Sequence, residues 1–249
     1  MRTSNAKCMG GCDQGLSNEH YLAEAILERL GTTHTLTNVA WLASRDSSVS
    51  LPASGLKAKV LCGRHNSELD HLDDVGILFC DALIDILKED DTGGEQHRII
   101  LPGPALERWV LKVVVGAMAS GTIRYNGERL NWSPSTPWVQ VLFGHARPSG
   151  LGLCFIQQPM TPHRGHGLAP LTLEGVIVGA MFEFMGLGMA VMPDSIGRRE
   201  IAEKDGAPES ITPRPDGLLF NNRRGSWEIL LDWGESRSGK MIRFEAIDR

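Results

Sequence analysis

Cys8 and Cys12 stand in the glycine-rich stretch CMGGC, and Cys62 and His65 stand two residues apart in LCGRHN. A structural zinc ion takes four nitrogen or sulfur ligands in a tetrahedron, and short loops supply such ligands as close pairs. Cys8, Cys12, Cys62 and His65 are therefore the expected ligands of a structural Zn2+ ion. The first pair has three residues between its cysteines where two are usual, so Asp13 or His20 is the substitute should Cys12 not ligate. The competing expectation is a Cys62 packed as a small hydrophobe, a surface His65, and Cys8 and Cys12 in a mobile N-terminal segment. Against it, the two pairs hold three of the five cysteines. An odd cysteine count without a secretory leader argues against a disulfide framework and for a reducing, cytoplasmic setting.

Between the pairs lies LSNEH, and the chain then reads CxxxC, EH, LCxxHN. This order resembles the HNH endonuclease superfamily in its zinc-stabilised, treble-clef ββα-metal form. The resemblance covers residues 8 to about 70. It implies hydrolysis of phosphodiester bonds in nucleic acid, with Glu19 at the acidic position, His20 as general base, and Asn66 at the last position, which helps to hold a catalytic Mg2+ or Mn2+ ion. Neutral imidazole is suited to deprotonating water near pH 7. Oxygen donors such as Glu19 and Asn66 suit a hard cation, so the hard ion and the soft zinc would occupy separate sites. Two features depart from the pattern: Glu stands where Asp is commoner, and 41 residues separate His20 from Cys62. Asn38, within that insert, is the candidate for the middle Asn. The plain alternative is that His20 caps or packs at a helix start and Asn66 satisfies a loop backbone.

These residues need elements to hold them. Leu22, Ile26 and Leu30 recur at helical spacing before Gly31, and residues 57–62 form a strand-like run. From His65 a stripe of Leu69, Leu72, Val75, Phe79, Leu83 and Ile86 predicts a sustained helix, ended by the charged and glycine-rich KEDDTGGEQH. Pro104 and Gly121 bracket a second helix whose polar face would be Glu107, Arg108 and Lys112. After it come short apolar runs between turn residues, which predict strands. GVIVGAMFEFMGLGMAVM is too glycine-rich, and carries Glu183, so it reads as buried sheet rather than a membrane span. His163 and His166 are spaced like ligands but sit in a Pro/Gly-containing stretch without a second pair, which predicts a solvated turn. The NNRRG cluster at 221–225 predicts an exposed turn. No phosphate-binding P-loop, nucleophile elbow or dinucleotide fingerprint occurs.

The expected architecture is α+β. A small treble-clef, zinc-finger-like unit over 1–90 is followed by a larger mixed helix and strand domain over 91–249. The net charge of −5 lacks the basic footprint of a protein that coats DNA. Nucleic acid as a partner must then rest on a local site, and the alternative is a non-catalytic, zinc-stabilised adaptor binding a protein through 91–249. No membrane association is expected. The nuclease reading requires His20 and Asn66 to converge on one open cleft beside the zinc.

Overall fold

The computed structural model describes residues 7–31, 33–37, 49–52, 56–87, 96–121, 123–125, 128–157, 166–195, 211–222, 225–234 and 239–245. Along the chain these form β1 (Glu19–His20), α1 (Glu24–Leu30), β2 (Thr33–Thr37), β3 (Val49–Pro52), β4 (Lys57–Ala58), α2 (Gly63–Ser67) and α3 (Asp70–Leu87). There follow β5 (Gln96–Pro102), α4 (Gly103–Ala119), β6 (Arg124–Tyr125), β7 (Glu128–Arg129), α5 (Thr136–Leu142), β8 (Gly152–Ile156), β9 (His166–Leu173), β10 (Val176–Phe184) and β11 (Leu187–Met192). The last elements are β12 (Ile211–Pro213), β13 (Gly217–Asn222), β14 (Gly225–Asp232) and β15 (Met241–Glu245). The fold is α+β.

Among the described residues, a seven-stranded sheet runs β12-β8-β11-β10-β9-β2-β3 and a four-stranded sheet runs β15-β13-β14-β5. Two short ribbons, β1-β4 and β6-β7, complete the strand pairing. The glycine-rich run expected as buried sheet is the hairpin of β10 and β11. Its two turn residues, Met185 and Gly186, both have positive φ, 53° and 86°, as a tight type I′ hairpin turn requires.

Helix α4 is the central element. Pro104 lies in its first turn, where the missing N–H costs nothing, and nearly every following side chain is buried. A helix apolar all round belongs inside a core, and α4 packs against α3, α5 and strands of both large sheets. One cluster of buried residues runs from Cys8 through Leu22, Leu72 and Trp109 to Phe182 and Phe244. At Gly116 an added Cβ would stand 2.3 Å from Tyr21 Cβ, so only glycine lets α4 lie this close to the N-terminal residues.

The polar face expected on α4 does not exist as such. Glu107 and Lys112 are buried. Glu107 accepts hydrogen bonds from Leu153 N–H at 2.7 Å and from Arg214 Nε at 3.0 Å, and Lys112 Nζ donates to Asp73 Oδ2 at 2.6 Å. Buried charges persist because they are paired in this way. His166 is also not in a solvated turn: it opens β9 and is buried, while His163 lies outside the described residues. Asn38, Arg223 and Arg224 lie outside them too.

Candidate metal centre and adjoining cavity

The CMGGC loop is held against the strand that leads into α2. Met9 N–H donates to Val60 O at 2.9 Å, and Gly11 N–H donates back to Cys8 O at 2.9 Å with Gly11 at φ 81°. Residues 16–20 run antiparallel to 57–62: Leu16 bridges Cys62, Ser17 N–H donates to Leu61 O, and Glu19 and His20 pair with Ala58 and Lys57. Cys62 then caps α2 in an extended conformation, and one turn on, His65 points back. This ribbon and helix bring the two halves of the expected ligand set together across 50 residues or more. The long insert leaves the ribbon at Tyr21 and returns at Leu56, where Tyr21 N–H donates to Leu56 O, and its β2 and β3 join the seven-stranded sheet.

The donor atoms of Cys8, Cys12, Cys62 and His65 all lie within 4.8 Å of one another. His65 Nδ1 is 3.3 Å from Cys8 Sγ, 3.5 Å from Cys12 Sγ and 3.3 Å from Cys62 Sγ, and Cys12 Sγ is 3.5 Å from Cys62 Sγ. With metal–sulfur bonds near 2.3 Å and metal–nitrogen bonds near 2.0 Å, a tetrahedral ion needs edges of about 3.8 Å between sulfurs and about 3.5 Å from sulfur to nitrogen. These four separations match the ideal edges to within a few tenths of an ångström and the remaining sulfur pairs stay within 4.8 Å, so the four residues can hold a metal ion. Asp13, the alternative ligand, is turned to solvent with Lys7 at 3.6 Å, and His20 lies on the ribbon away from the cluster's ligand set.

Local electrostatics favour thiolate at one ligand. The His65 backbone N–H holds the Cys62 thiol down to about 6, with Cys12 and Cys8 adding to the effect against the cost of burial. Burial pushes the Cys8 thiol up, although the backbone N–H groups of Cys62 and Gly10 oppose it. A metal supplies the charge that offsets that burial. Outside the cluster, Glu68 Oε2 lies 4.0 Å from His65 Nε2, beyond hydrogen-bond reach but on the side where a metal-ligating imidazole ordinarily finds a carboxylate. Arg64 Nη2 also stands 3.0 Å from Nε2. With Nδ1 on a metal both of those nitrogens are donors, so Arg64 must turn onto Glu68, which its Nε already approaches at 3.7 Å.

Beside the cluster, Glu19, His20 and Asn66 line a single cavity of about 20 Å³. Met9 of the ligand loop and Tyr21, Ala58 and Leu61 complete its near walls, and Lys112, Val115 and Gly116 of α4 with Leu142 of α5 form the opposite one. This volume is room for a water or two. His20 Nε2 and the Tyr21 hydroxyl are buried with no hydrogen-bond partner among the described residues. The three residues expected to act together thus line one place, a small and only partly open cavity rather than a wide cleft, with Glu19 exposed at its edge.

Two contributors are not in the expected set. Lys112 reaches the cavity wall from the chain's second half, and its signal is a single cation in the apolar run WVLKVVVGAM, where no solvated face is available to it. Gly10 is the other: an added Cβ would stand 2.5 Å from His65 Nδ1, so the second ligand pair seats against a residue that must be glycine. No family model, no curated protein and no solved structure matches this chain. Among the described residues, no helix is long and apolar enough to cross a membrane.

Proposed function

We propose that the chain is an HNH-like, metal-dependent nuclease that hydrolyses phosphodiester bonds in nucleic acid, built on a zinc ion held by Cys8, Cys12, Cys62 and His65. The observation that supports it is the convergence of Glu19, His20 and Asn66 on one cavity that starts where the ligand cluster ends. A set of three thiolates and one imidazole favours zinc over harder divalent ions. His20 Nε2, buried and without a protein partner among the described residues, is the nitrogen that would take a proton from an attacking water once the cavity admits one. The ribbon of β1 and β4 holds that imidazole in place through its backbone, leaving the ring for chemistry. Glu19 and Asn66 are the oxygen donors that would hold Mg2+ or Mn2+, which when bound offsets charge on the scissile phosphate and leaving oxygen.

A second reading, the non-catalytic zinc-stabilised adaptor, draws on the wall that α4 and α5 place over the cavity. A phosphodiester cannot enter a volume of this size unless that wall parts. In that reading the ligand cluster stabilises the fold, and residues 91–249 carry a protein-binding surface.

The two separate in one experiment. Wild-type protein is incubated with DNA and with RNA in Mg2+ and in Mn2+, beside His20→Ala. The nuclease reading expects nicking by the wild type and a loss of about 10² to 10⁴ in rate in the variant, with zinc content and melting unchanged. Cleavage that does not respond to His20 is contamination, and no cleavage with either ion leaves the adaptor reading.

A further inference from the structure

A cleft of about 420 Å³ opens between α3 and the four-stranded sheet, and it shares no residue with the ligand cluster or the cavity beside that cluster. Its helix wall is Leu78, Asp81, Ala82, Asp85 and Ile86, which recur at three- and four-residue spacing and so share one side of α3. The other wall is sheet. On β5 and β14, His97 lies directly opposite Trp227 and Ile99 opposite Ile229, and residues paired in this way project to one face. The size falls within the usual range for a small-ligand pocket, about 300–1,000 Å³.

Three features of the walls select a class of ligand. Leu78 is 49% exposed although Ile86, about two turns on, is buried, so apolar surface on the cleft wall stays in water. The His97 ring lies flat against Trp227, with centroids 5.5 Å apart and planes 12° from parallel, and an aromatic surface of this kind attracts a flat or cationic group. The third feature is charge. Arg29 clamps Asp81 at 2.6 and 3.3 Å, and Arg98 holds Glu228 at 2.6 Å. Even with those cations counted the balance is negative. Residues 81–98 hold six carboxylates against Lys88 and Arg98, and they include the acidic KEDDTGGE that joins α3 to β5, so most of the chain's net −5 falls in this one stretch. A field of that sign repels phosphate and draws in cations.

We propose that this cleft binds a small organic cation with an apolar or aromatic body, the body packing on Leu78, Ile99 and Trp227 and the cationic head lying towards the carboxylates of Asp81 and Asp85. Burial of Leu78 supplies the apolar part of the affinity, and the acidic wall fixes the sign of the ligand's charge. The assignment is independent of the nuclease reading, because a cleft of this charge does not suit a nucleic-acid backbone.

The test titrates the metal-loaded full chain with two probes that share an indole body and differ in charge, tryptamine and indole-3-propionate, followed by 1H–15N NMR. Tryptamine should give saturable shifts at the Trp227 indole N–H and at the backbone of Leu78 and Ile99, and should bind about tenfold more tightly than the carboxylate. Two substitutions at the half-exposed Leu78 keep the result independent of folding. Leu78→Arg and Leu78→Gln should melt alike, while Leu78→Arg, which sets a cation on the cleft wall, should bind tryptamine about tenfold more weakly than Leu78→Gln. Asp85→Asn should also weaken tryptamine and leave indole-3-propionate unaffected or tighter. No saturable shifts up to the solubility limit of tryptamine, shifts confined to residues outside the cleft, equal binding of the two probes, or equal affinity in Leu78→Arg and Leu78→Gln would each overturn the assignment. A lysine-rich peptide that shifts the cleft residues where tryptamine does not would overturn it as well, and would give the surface to a protein partner.

Discussion

At the scale of single residues, the cluster is decided by which side chains are small as much as by which can ligate. Gly10 sits against the His65 imidazole at a separation that no Cβ could share. Gly10→Ala should push the ring off the three sulfurs, with a loss of about 1–3 kcal/mol, the usual cost of forcing extra atoms into a packed site. Thermal unfolding of the metal-loaded variant would measure it, and a melting temperature equal to the wild type's would refute the close approach. The two ligand pairs were legible in the sequence because spacing within a pair is a local property. That they meet depends on the pairing of residues 16–20 with 57–62, a contact across the long insert that no local pattern encodes.

At the scale of elements, α4 shows where periodicity misleads. Its charges recur at helical spacing and so predict a solvated face, yet α4 is enclosed by α3, α5 and the two large sheets, and the charges survive by finding partners on other elements. Glu107 ties α4 to β8 and to Arg214, whose guanidinium also lies 5.9 Å from the Trp233 ring. Glu107→Ala would leave Arg214 and the Leu153 N–H without their acceptor, and should cost about 3–5 kcal/mol. Arg98→Ala breaks a shorter pair with Glu228, at 2.6 Å against 3.0 Å for Glu107 with Arg214, but Arg98 is more than half exposed and the loss should stay below about 1 kcal/mol. Denaturant melts of the two variants would check the contrast; equal losses would mean that burial does not set the value of these pairs. The strands, by comparison, were readable as short apolar runs, whereas their order in the sheets was not. The parallel pairing of β5 with β14 and of β2 with β9 joins segments far apart in the chain.

At the scale of the whole molecule, two of the cluster's ligands, Cys8 and Cys62, and the strands of the C-terminal half, Phe244 included, belong to one continuous set of buried residues. Gly116 and Tyr21 mark the contact that joins them. Metal removal should therefore be felt beyond the first 90 residues: a strong chelator should lower the melting of the entire chain in one transition, observed alike by far-ultraviolet circular dichroism and by fluorescence of the tryptophans, all of which lie beyond residue 90 except Trp41. Structural zinc contributes about 10–16 kcal/mol of apparent binding free energy in small zinc-dependent folds, so the shift should be large. The central claim is that Cys8, Cys12, Cys62 and His65 form a zinc site, and native mass spectrometry of the purified chain tests it most directly. The account predicts the mass of the chain plus about one zinc ion, lost in Cys62→Ser. A metal-free mass for the wild type after purification in zinc-containing buffer, with melting that a chelator does not change, would contradict it.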